Sequence, residues 1–165
     1  MTDGSDLRPS RVWQEMSERQ REAAARAFWG DDESGGEQAE VLMQMARQLN
    51  FRPKSVQALP IDRKVKFLTT RARLSEAAAA RILVAYHLAC QRPMMGAFLD
   101  KLGIAHQNGL IKDEQIRPPD AARLASVAEE LRAAYPAEDV RLYFDTLKMQ
   151  DPEAWGALPA VERAG

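Results

Sequence analysis

Cysteine is nearly absent: Cys90 stands alone in 165 residues, so no internal disulfide can staple the fold. A single thiol suits a reducing compartment. Long apolar runs are missing as well; none approaches the roughly eighteen residues that a membrane helix needs. Residues 1–9 are polar and carry Asp3 and Asp6, where a secretory leader would have a basic start and an apolar stretch. These absences predict a soluble protein with a cytoplasmic address. Net charge is missing too, with 23 Lys and Arg against 24 Asp and Glu. No global field therefore recruits nucleic acid or anionic lipid. Catalytic signatures are lacking: no glycine-rich phosphate loop after a strand, no Gly-x-Ser-x-Gly elbow, no His-Glu-x-x-His. The expectation is a protein that is not an enzyme, with no catalytic residue, no cofactor and no metal.

Hydrophobic residues make up 45% of the chain and charged residues 28%, an ordinary globular balance. A length of 165 residues suits one domain. The apolar residues recur at helical spacing, and sustained period-two alternation is absent. The fold expected is all-α, a compact irregular bundle of about six or seven helices over residues 10–158, with flexible tails at 1–9 and 159–165.

Ser10 can cap a first helix running from Arg11 to Trp29, with Val12, Trp13, Met16, Ala24 and Phe28 inward. Gly30-Asp31-Asp32-Glu33-Ser34-Gly35-Gly36 reads as a flexible loop. A second helix is expected from Glu37 to Leu49, and a third after Pro60, to about Thr70. Ser75 can cap a helix to Cys90. Between Ala77 and Cys90 only Arg81 and His87 are strongly polar, which marks this helix as the central one. Pro93 opens a short helix that Gly103 can end in the left-handed conformation. A connector over 104–117 contains the turn signal Asn108-Gly109. Two further helices follow, after Asp120 and after Pro136, and a last short one surrounds Trp155.

The charge distribution is the most informative feature. Residues 47–73 hold eight Lys and Arg against Asp62 alone, while residues 1–40 and 113–153 each carry ten acids and five bases. The basic block supplies candidate binding residues: Arg52, Lys54, Arg63, Lys64, Lys66, Arg71 and Arg73. Such a set can meet phosphates or an acidic protein. It can equally be neutralised by neighbouring acidic helices or simply face water. A helix-turn-helix over Ser75–Gly103 is disfavoured, because Pro93-Met94-Met95-Gly96 offers no side chain to read base edges.

Two smaller candidates remain. His106, Gln107 and Asn108 sit in the connector between apolar anchors, where a loop can present hydrogen-bonding groups. His87 and Cys90, three apart on one helix, could join His106 and Asp100 in a metal or nucleophilic site. Their spacing matches no strong zinc pattern, and Cys90 is expected to be interior and inert. Trp29, beside the glycine-rich segment, is the aromatic residue expected to be most exposed. The leading functional expectation is protein–protein interaction, with self-association as a two-fold pair compatible with this size. Nucleic-acid binding through the basic block comes second. An enzyme near His87, Cys90 and His106 comes third.

Overall fold

The computed structural model describes residues 7–112 and 116–161. Ten α-helices and one two-stranded hairpin make up the described chain, so the all-α expectation holds. By its contacts the chain divides into two compact units, Arg8–Cys90 and, in essence, the residues from Gln91 onward. No helix among the described residues is long and apolar enough to cross a membrane.

The first unit is built from α1 (Pro9–Glu15), α2 (Glu18–Trp29), α3 (Gly35–Leu49), α4 (Pro53–Gln57), α5 (Ile61–Thr70) and α6 (Glu76–Cys90). The expected first helix is in fact two. The chain breaks at Met16-Ser17 because Ser17 and Gln20 form a reciprocal capping box, which satisfies backbone donors that a continuous helix would have used. Ser10 caps nothing; it bonds to Glu76 at the start of α6, and Pro9 opens α1. Of the described residues in the expected tail, Pro9 is therefore helical, while Leu7 and Arg8 precede the helix.

The glycine-rich segment is not the expected loop. Asp31 caps a 3-10 turn over Asp32–Ser34, and Gly35 and Gly36 already belong to the first turn of α3. Gln38 clamps the segment by donating to the carbonyls of Phe28 and Asp31, at 2.7 and 2.9 Å. Asn50 ends α3 in the left-handed region, at φ 54°. Ser75 caps α6 through the amide of Ala78 at 3.1 Å.

As expected, α6 is central to its unit, packing against α1, α2 and α3. Ala78, Ala79, Ile82, Leu83, Ala85 and Tyr86 are all buried. Around it, α5 lies on α2 and α4 on α3. Lys54 on α4 and Arg63, Lys64 and Lys66 on α5 therefore ride on the two helices that pack against α3 and α2.

The second unit contains α7 (Arg92–Leu102), β1 (His106–Gln107), β2 (Leu110–Ile111), α8 (Ala121–Ala134), α9 (Ala137–Gln150) and α10 (Pro152–Trp155). Gly103 ends α7 at φ 70°, as its position predicts. Asp120 caps α8 through the amide of Arg123. The core is aromatic: the Phe98 ring lies 5.3 to 5.8 Å from those of Tyr143, Phe144 and Trp155. Leu158 and Val161 are buried in the same cluster, so residues 159–161 are not the free tail that was expected. The other tail residues, 1–6 and 162–165, and connector residues 113–115 lie outside the described residues.

Candidate functional site

The basic block spans the C-terminal end of α3, the short helix α4, all of α5 and the linker to α6. On α5, Val65 and Leu68 turn inward while Arg63 and Lys66 face water. Two residues of 3.6-residue helix separate the inward and outward sets, so one amphipathic pattern fixes both. Arg52, Lys54, Arg71 and Arg73 are exposed as well, and Lys64 is half-buried. Its ammonium sits 5.6 Å above the ring of Trp29 on α2, within reach of the ring's negative face. Trp29 itself is half-buried rather than exposed.

The block's one acid, Asp62, is taken by a base outside the block. Arg26 on α2 donates to it at 2.7 Å and also pairs with Glu22 at 3.4 Å. Both carboxylates hold the Arg26 guanidinium above its ordinary value, Asp62 the more strongly. By contrast, Arg52, Lys54, Arg63, Lys64, Lys66, Arg71 and Arg73 make no ion pair to any carboxylate among the described residues. Three further acids of this unit pair elsewhere: Glu15 with Arg11, Glu33 with Arg81, Glu76 with Arg8. The linker bearing Arg73 is fixed through its backbone, which exchanges two hydrogen bonds with the Gln44 side chain on α3, at 2.6 and 3.0 Å.

The connector is a built hairpin rather than an open loop. Asn108 and Gly109 turn it at φ 51° and 91°, the positive pair that a tight hairpin demands. His106 is its anchor. Its Nδ1 accepts the Gly109 amide at 3.0 Å, so the ring proton lies on Nε2, 2.7 Å from an Asp100 oxygen. Arg92 donates to the Asn108 carbonyl at 3.0 Å. A Cβ on Gly109 would stand 3.1 Å from Met95, which shows how closely the tip sits on α7. Both ring nitrogens of His106 are thus engaged by the protein itself. Gln107 and Asn108 are exposed beside it.

The third set of candidates is divided between the two units. His87 is buried in α6 next to Tyr86. Cys90, expected inside, is exposed, because α6 ends there and its last turn leaves the core. His106 lies in the other unit. Among the described residues no three His, Cys, Asp or Glu side chains gather so as to hold a metal ion.

Sequence reasoning missed one group, the exposed apolar side chains beside the block. Met43, Phe51 and Ile61 are 44 to 47% exposed. The edge position of Met43 on its helical stripe was the available signal. No known family, curated protein or solved structure matches the chain.

Proposed function

We propose that the chain is a non-enzymatic binding protein that docks an acidic protein through the basic face of its first unit. The observation that carries this reading is the set of seven Lys and Arg side chains over 52–73 with no carboxylate partner among the described residues. Their placement favours an external partner over internal neutralisation, because Asp62 is held by Arg26. Unpaired surface cations steer an oppositely charged partner and speed its encounter. The exposed Met43, Phe51 and Ile61 nearby support a protein partner, since Met, Phe and Arg are the types enriched where proteins meet.

Nucleic acid is the second reading. Its supporting observation is the same lack of internal counter-charges, which leaves the block free to displace counterions from phosphates.

The test is fluorescence anisotropy with three labelled probes: oligoglutamate, duplex DNA and single-stranded DNA. Each is titrated at low and then moderate salt. The expected result is salt-sensitive binding of oligoglutamate that disappears in a variant carrying Arg52→Glu, Lys54→Glu, Arg63→Glu and Lys66→Glu. Tighter binding of DNA, with a steep salt slope abolished by the same variant, replaces the protein reading with the nucleic-acid one. No binding of any probe at low salt, where screening is weakest, overturns both.

A further inference from the structure

The outer face of α3 is open to solvent along Met43 and Arg47, one helical turn apart. Arg47 folds back so that its Nε donates to the Met43 backbone carbonyl at 3.4 Å. Asn50 then turns the chain in the left-handed region, and the Phe51 amide returns to the Ala46 carbonyl at 2.9 Å. That closure places Phe51 at the end of the helix, where the residue is 44% exposed. Arg52 and Lys54 follow at once, at the start of α4, which packs on α3. The end of α3 and the start of α4, which packs on it, therefore carry two exposed large apolar side chains, Met43 and Phe51, and three exposed cations, Arg47, Arg52 and Lys54.

Neither component explains the other. Cations alone need no exposed methionine or phenylalanine beside them. Two large apolar side chains left nearly half exposed forgo part of the burial that would stabilise them. Resting on the reading of an acidic protein partner, we infer that the α3–α4 corner is a docking site for an acidic amphipathic helix. Its apolar stripe would cover Met43 and Phe51, and its flanking carboxylates would meet Arg47, Arg52 and Lys54. The charge complementarity sets the sign of the partner. The apolar pair sets its form, because an amphipathic helix presents apolar side chains on one face and acids on either side of it.

The experiment compares two synthetic peptides of about sixteen residues with identical composition, rich in Glu and Leu. One places its leucines at helical spacing and the other is scrambled so that no stripe exists. Anisotropy is read with the full chain, with a Met43→Ser/Phe51→Ser variant and with an Arg52→Glu/Lys54→Glu variant. Both variants change exposed side chains, and circular dichroism checks that each remains helical. The patterned peptide is expected to bind the full chain at least about tenfold more tightly than the scrambled one. Met43→Ser/Phe51→Ser is expected to erase that difference while keeping the weak, salt-sensitive binding of the scrambled peptide. Arg52→Glu/Lys54→Glu is expected to weaken both.

Equal binding of the two peptides, unaffected by Met43→Ser/Phe51→Ser, overturns this inference and leaves the acidic-partner reading standing. Binding of neither peptide overturns both.

Discussion

The two units divide the charge of a nearly neutral chain between them. Arg8–Cys90 holds fourteen Lys and Arg against ten Asp and Glu, a net of +4. The other unit, Met1–Leu7 with Gln91–Gly165, holds nine against fourteen, a net of −5. Pairing differs as well. In the acidic unit, Glu130 meets Lys101 at 3.4 Å and Asp145 meets Arg141 at 3.9 Å, so bases are spread among the acids. In the basic unit Glu15, Glu22, Glu33, Asp62 and Glu76 pair with Arg8, Arg11, Arg26 or Arg81, and the seven Lys and Arg over 52–73 are left without a carboxylate among the described residues. The cores contrast too: an alanine-rich central helix in one, a cluster of four aromatic rings in the other. The lesson is that a chain's average charge says little about the field at any one of its faces, because ion pairs form locally and use up local partners.

The largest effect should come from Leu83→Asp, which puts a carboxylate where the leucine is 2% exposed in α6. An unpaired buried charge there should destabilise the basic unit by more than about 4 kcal/mol. Hydrogen exchange resolved by segment should show protection lost throughout Arg8–Cys90. A melting temperature within a degree or two of wild type would show that α6 is not the centre of that unit.

A smaller effect tests the acidic unit at its tightest turn. Gly109→Ala combines φ 91° with a Cβ 3.1 Å from Met95, and should cost about 2 kcal/mol. Urea titration measures it, and an unchanged midpoint would mean that the hairpin tip is not held against α7.

The smallest effect appears only in alkali. Burial among the aromatic rings pushes the Tyr143 hydroxyl well above its ordinary value of 10.0. Above about pH 10 the unfolded chain releases this proton while the folded chain keeps it. Stability contributed below pH 10 is therefore lost as pH rises further. Tyr143→Phe should flatten the fall of stability between pH 10 and 11, and an identical slope in both proteins would show that Tyr143 is not buried as a neutral phenol.

Much of the fold was legible because helices announce themselves one at a time. Ser75, Gly103 and Asp120 sit where caps and stops were expected, and the apolar run of 77–90 marks a central helix by composition alone. The break at Met16-Ser17 was hidden because Val12, Met16 and Ala24 keep helical spacing across it; only the Ser17–Gln20 capping pair could have shown it. Gly35 and Gly36 misled in the opposite sense, since weak helix formers are drawn into α3 by the clamp from Gln38. The hairpin escaped because its strands are two residues each, too short for any alternation, although Asn108-Gly109 was its signal. Division into two units could not be read at all: periodicity tells which face of a helix is buried, not which helix covers it. Of the candidate site, the identity of the basic residues was legible and their lack of partners was not. That depended on Arg26, thirty-six positions away, reaching Asp62.

One consequence follows from Lys64 lying over the indole of Trp29. Trp13 and Trp155 are buried, each in a different unit, while Trp29 alone is half open at the rim of the basic face. An ammonium beside an indole alters how the excited ring emits. The molecule thus carries its own optical gauge: any partner that draws Lys64 away from the ring changes the emission of one tryptophan in three, with no label attached.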